Sequence, residues 1–171
     1  YFCMQLILWA AGTNGEGSSK VALKLIKALI KNSKNYDFKI FISSQSTLDE
    51  EIRASNIKNN SAIYKLPKIY RIYPIQLLIK FFLPLDFFCK ALITLDDFPF
   101  RNSGNQILYF HQPNILYSDK FIWKLKRIIF TILLTKKIKI FVQTQHIKRA
   151  LLKKFDIIKT INLITALHFD Q

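Results

Sequence analysis

Short apolar runs alternate along the chain with longer segments in which apolar residues recur every three or four positions. The first run, Leu6-Ile7-Leu8-Trp9, leads into a polar turn; from residue 18 to 31, Val21, Leu25, Ala28 and Leu29 then fall opposite Lys20, Lys24, Lys27 and Lys31. That spacing gives a helix with one wet and one dry face. The unit repeats. Residues 38–44 (FKIFISS) read as a strand, 47–54 as a weak helix, 62–64 as a short strand, 73–90 as an aromatic helical region and 91–97 (ALITLDD) as a strand. Beyond them, 105–114 (NQILYFHQPN) read as a strand ending in polar residues, and 118–134 as a helix with Lys120, Lys124, Arg127 and Thr131 on its solvent face. A strand at 137–145, a helix at 146–155 and a last strand at 160–164 follow. Nearly continuous apolar strands, each separated by a helix, predict a mainly parallel sheet covered on both sides. The expected class is a doubly wound, Rossmann-like α/β fold in one domain, residues 1–171.

Composition narrows the picture. Half of the 171 residues are apolar, which excludes a disordered or a disulfide-built chain. Cys3 and Cys89 lie far apart in apolar surroundings and read as small buried thiols, with no metal site expected. The formal net charge of +15 is spread along the chain and favours anionic partners: nucleic acid, phosphorylated substrates or an anionic membrane surface. The most apolar window, residues 72–95, is interrupted by Lys80, Pro84, Asp86 and Lys90, so a buried or interfacial helix pair is expected there in place of a membrane span.

In open parallel sheets ligands bind beyond the carboxyl ends of the strands. The polar residues expected there are Gly12 to Ser19, Ser43 and Ser44, Asp96 and Asp97, His111 with Gln112 and Asn114, and Gln143 with Thr144 and Gln145. Three of the chain's four glycines, Gly12, Gly15 and Gly17, fall in the first of these groups. Glycine permits positive φ and close approach to backbone N–H groups, and a helix opening near Ser18 would aim its positive dipole end at a phosphate or sugar diphosphate. The turn is neither a P-loop nor a full dinucleotide fingerprint, because Lys20 stands where the third glycine belongs and the second strand ends in serines. Read structurally, the same turn is a tight bend capped by Ser18.

His111, at the end of a buried strand with Pro113 fixing the turn, can hydrogen-bond a sugar hydroxyl or take a proton. Asp96 and Asp97 point opposite ways if extended, so at most one faces a crevice. Thr144 reads as the cap of the helix beginning at His146.

The order of these features, together with LDDFPF, ILYFHQPNILY and IFVQTQHIKRALLKKF, resembles the N-terminal half of a GT-B glycosyltransferase of the family 4 type, over about residues 5–165. The resemblance implies an acceptor-side domain whose donor-binding C-terminal partner is absent, so the chain alone would be inactive, as a fragment or a split subunit. It implies that the loop of Gly12, Gly15 and Gly17, opening at Ser18, approaches a nucleotide-sugar diphosphate, that His111 contacts sugar near the reacting centre and that Thr144 stands at the cleft wall; Asp97 and Gln112, from the strand ends, are expected with them as substrate- or phosphate-binding residues. The nucleotide sugar enters as a substrate, with no resident cofactor. The acceptor would be a glycan or a lipid-linked species, at a cytoplasmic location with peripheral contact at the inner face of the membrane, through Tyr70, Arg71, Tyr73, Lys80, Phe81 and Phe82. Two other classes compete. A nucleic-acid or anionic-polymer module is suggested by charge but wants exposed aromatics beside the lysines; a dinucleotide-dependent oxidoreductase lacks its fingerprint.

Overall fold

The computed structural model describes residues 5–13, 15–32, 37–57, 62–83, 90–101, 103, 105–135, 137–155 and 163–165. Seven strands, β1 (Gln5–Ala10), β2 (Asp37–Ser43), β3 (Ile63–Leu66), β4 (Ala91–Thr94), β5 (Gln106–Phe110), β6 (Ile138–Val142) and β7 (Leu163–Thr165), form one sheet in the order β3-β2-β1-β4-β5-β6-β7. Every pairing is parallel. The order reverses between β1 and β4, the switch point of a doubly wound, Rossmann-like fold.

Alternation along the strands assigns the two faces. Leu8, Ala10, Ile40 and Ile42 pack against Ala22 and Ile26 of α1 (Glu16–Lys31) and Leu48 and Ile52 of α2 (Thr47–Arg53). On the other face Ile7, Trp9 and Leu92 meet Phe100 and Ile79 of α3 (Tyr73–Phe82). Further along the sheet Leu108, Phe110, Ile140 and Val142 pack on Phe130 and Leu133 of α5 (Phe121–Leu133) and Leu151 of α6 (Gln145–Lys154). Burying each large apolar side chain contributes roughly 1.5–3 kcal/mol, and the Phe130 ring alone contacts those of Phe98, Phe110 and Phe155.

Several elements differ from the spacing-based expectations, each for a local reason. α1 starts at Glu16, not Ser18: Gly15 is the N-cap, with extended backbone, and the Ser18 hydroxyl accepts its N–H at 3.2 Å while donating to its carbonyl at 2.8 Å. The helix expected over 118–134 is shorter, α5 starting at Phe121, and a separate single turn α4 (Asn114–Tyr117), which the spacing did not predict, precedes it and ends at the extended Ser118. α3 is a single ten-residue helix opened by Pro74 in its first turn, where a missing N–H is harmless. The second helix of the expected pair, with Pro84, Asp86 and Cys89, lies outside the described residues, as do Cys3 and His168. Among the described residues no helix is long and apolar enough to cross a membrane.

Of the six residues expected to face a membrane, Tyr70 and Arg71 precede α3 and the rest lie on it, and burial removes Lys80 from the set. Lys80 is fully enclosed, the Tyr73 hydroxyl is buried, and Arg71 donates to the Gln45 carbonyl at 2.8 Å; of the six, Phe82 projects furthest, at 75% exposure.

Among the described residues no helix joins β4 to β5, and the connection is held by one buried amide. Gln106 Oε1 accepts from the Phe100 N–H (2.8 Å) and the Thr94 hydroxyl (3.1 Å), while Gln106 Nε2 donates to the Phe100 carbonyl (3.2 Å). This segment carries Asp96 and Asp97 out of the sheet.

Candidate functional site

At the switch point the ends of β1 and β4 are tied together by a carboxylate. Asp96, buried, accepts the Gly12 N–H at 2.9 Å and faces Lys80 Nζ at 3.2 Å; the Lys80 ammonium also donates to the Phe98 carbonyl and stands 4.9 Å over the Phe100 ring. Burial lowers the Lys80 pKa, opposed by the Asp96 charge. The need for glycine at position 12 follows from this proximity. A Cβ there would lie 2.8 Å from Gln76 Oε1 and 3.0 Å from Asp96 Cγ. The expectation of positive φ fails: no described glycine has it, and among the described residues only Gln45 does, at 57°.

Asp97, the next residue, turns the other way; β4 ends at Thr94, short of the strand expected over 91–97, and both aspartates stand in the bend that follows. Its Oδ1 is 3.8 Å from His111 Nε2, beyond hydrogen-bond length, and its Oδ2 is 3.5 Å from Lys126 Nζ of α5. The His111 ring is fixed from behind, Nδ1 donating to the Tyr109 carbonyl at 3.3 Å, which leaves Nε2 to accept from a ligand in the neutral imidazole. Lys126 lies 4.8 Å over Tyr73 and 4.5 Å over Trp123, so aromatic faces as well as Asp97 hold its charge.

These residues face one cleft. A cavity of about 420 Å³ is lined by Gly12, Gly15 and Ser18 from the first turn, Arg71 just before α3 with Tyr73 and Gln76 in its first turn, and Asp97, His111 and Gln112 from beyond the ends of β4 and β5. A second cavity of about 200 Å³ shares Ser18 and His111 and adds Gly17, Val21, Leu95, Tyr109 and Gln143. The two chambers differ in chemistry: the first brings a guanidinium, a carboxylate and two amides, the second a more apolar floor. Gln143 donates to the Tyr109 hydroxyl at 3.0 Å, fixing that floor.

Gly17 lines the smaller chamber, and a Cβ built on it meets nothing within 4 Å. Packing does not demand glycine here, and the helix N-terminus, where first-turn N–H groups lack intrahelical partners, is open at this point. The buried Tyr73 hydroxyl has no hydrogen-bond partner among the described residues; burial and the Asp97 charge raise its pKa, keeping it a donor.

The expected residues Gly12, Gly15, Gly17, Ser18, Asp97, His111 and Gln112 thus come together. Thr144 does not line either cavity; its hydroxyl accepts the Ile147 N–H at 3.3 Å and caps α6, and its neighbour Gln143 takes the place at the wall. Ser43 is likewise structural, donating to the Ala11 carbonyl at 2.6 Å. Sequence reasoning missed Arg71 and Gln76 at the cleft, and Lys126 behind it, 3.5 Å from Asp97. Arg71 is aimed there by the left-handed turn at Gln45, whose carbonyl it meets and whose N–H goes to Asp49 (2.9 Å). No local pattern signals this, since nothing in the sequence joins position 45 to position 71. Among the described residues no three His, Cys, Asp or Glu side chains are grouped to hold a metal ion. Comparison with protein-family models, curated proteins and solved structures returns no match.

Proposed function

We propose that this chain is the acceptor-side domain of a nucleotide-sugar-dependent glycosyltransferase of the GT-B, family 4 type, acting with a separate donor-binding domain. The observation that carries the reading is the meeting of His111 with the Gly12–Ser18 turn in one cleft, beside Asp97. His111 Nε2 takes a hydrogen bond from a sugar hydroxyl, with Asp97 able to balance positive charge on the ring. The open N-terminus of α1 at Gly17 and Ser18, with the Arg71 guanidinium across the cleft, suits the diphosphate of a nucleotide sugar. Gln112 and Gln76 supply amides for further hydroxyls. The donor-binding domain closes the cleft and excludes water, so the chain alone transfers no sugar.

Transfer from labelled UDP- and GDP-sugars to glycolipid acceptors, assayed with the donor-binding domain supplied, tests the reading. His111→Ala lowers turnover by about 100-fold or more; near-normal transfer removes His111 from the site. Salt-sensitive retention of single-stranded nucleic acid, with no response to any sugar nucleotide or glycolipid, would replace the reading by a polyanion-binding module.

A further inference from the structure

One side of α5 is used by the fold and the other is left to solvent. Phe130 and Leu133 enter the core and Lys126 reaches Asp97, whereas Phe121, Leu125, Ile128 and Ile132, at spacings of four, three and four, are 80%, 40%, 58% and 50% exposed. A surface helix ordinarily turns polar residues outward, and a line of exposed apolar side chains marks an interaction surface. Lys120, Lys124 and Thr131 run exposed along one edge of that line, and α5 contains no acidic residue.

We propose that this face of α5 docks on an anionic lipid bilayer, the helix lying in the headgroup layer with its apolar line in the acyl boundary and Lys120 and Lys124 against anionic headgroups. Charge selects the occupant. A second copy would bring the same lysines together with one carboxylate at hand per copy, Asp119 just before the helix and already 3.9 Å from Arg127, in a chain already at +15, whereas an anionic surface neutralises them. Thirteen residues make a helix of about 20 Å, too short to span hydrocarbon and suited to lying on it. Docking also places the cleft, because Lys126 on the inward side of the same helix is 3.5 Å from Asp97. The bilayer surface would then stand roughly one helix diameter, about 10 Å, from the cleft wall. The inference is independent of the sugar-transfer reading.

Flotation with vesicles of phosphatidylcholine containing phosphatidylglycerol, against phosphatidylcholine alone, tests it. The chain is expected to float with the anionic vesicles only. Phe121→Ser and Ile128→Gln, both at exposed positions, each weaken partitioning about tenfold, and Lys124→Glu weakens it about fivefold or more, with circular dichroism unchanged. Equal flotation of wild type and these variants, or flotation of neither, overturns the proposal. A dimer seen by light scattering and dissolved by Phe121→Ser also overturns it, giving the face to a second copy. His111→Ala floats like wild type, so failure of the transfer reading and failure of docking are read separately.

Discussion

The Gly12 N–H donates to the Asp96 carboxylate at 2.9 Å, joining two residues 84 positions apart at the point where the strand order reverses. The contact leaves no room for a side chain on residue 12. Gly12→Ala is therefore expected to destabilise the fold by about 1–3 kcal/mol, read from urea unfolding; an unchanged midpoint would show that Gln76 and Asp96 step aside.

Gly17 predicts the opposite sign. Its missing Cβ faces open space, so Gly17→Ala should raise stability by up to about 1 kcal/mol through helix propensity. The same methyl narrows the chamber at the start of α1, and affinity for a UDP- or GDP-sugar, titrated with the donor-binding domain present, should fall. Gain of stability without loss of affinity would place the diphosphate elsewhere.

The enclosed Lys80–Asp96 pair predicts strong non-additivity. Lys80→Met strands a buried carboxylate and should cost about 3–5 kcal/mol. Adding Asp96→Asn removes the stranded charge while keeping an acceptor for the Gly12 N–H, so the double variant should be more stable than Lys80→Met alone. Equal losses from the two variants would mean that the charge is not what hurts.

Acid should weaken the corner that aims Arg71. Burial pushes the Asp49 carboxyl up, but Lys65, Arg53 and the Gln45 N–H together outweigh it and hold its pKa below the ordinary value of 3.8. Between that value and the lower native one the unfolded chain binds more protons than the folded chain, so stability falls as pH drops through this window. Asp49→Asn should flatten that limb of the stability–pH curve; an unaltered slope would assign it to other carboxylates.

Much of this architecture is legible in the sequence because burial imposes periodicity. The apolar runs at Leu6–Trp9 and FKIFIS had to be strands in a covered sheet, and the four lysines of α1 marked its wet face. Strand alternation predicts opposed directions for Asp96 and Asp97, but β4 ends at Thr94 and it is the bend after it that turns them apart. What stayed hidden depends on partners distant in sequence. Lys80 read as an interruption of an apolar window, because only the fold brings Asp96 and the Phe98 carbonyl to it. Gly12 read as a source of backbone freedom, when its actual constraint is the proximity of Gln76 and Asp96. On α5 Lys120, Lys124 and Thr131 do face solvent, but Arg127, expected beside them, is largely buried, and the apolar line one position further round is exposed with them.

The Gln106 amide gives the β4–β5 connection a property that matters when something enters the cleft. Because Thr94 and both backbone groups of Phe100 are already saturated by that one side chain, the segment bearing Asp97 is set before any encounter. A ligand arriving there spends little of its affinity on freezing chain motion, so its binding entropy should report chiefly on its own loss of freedom and on displaced solvent.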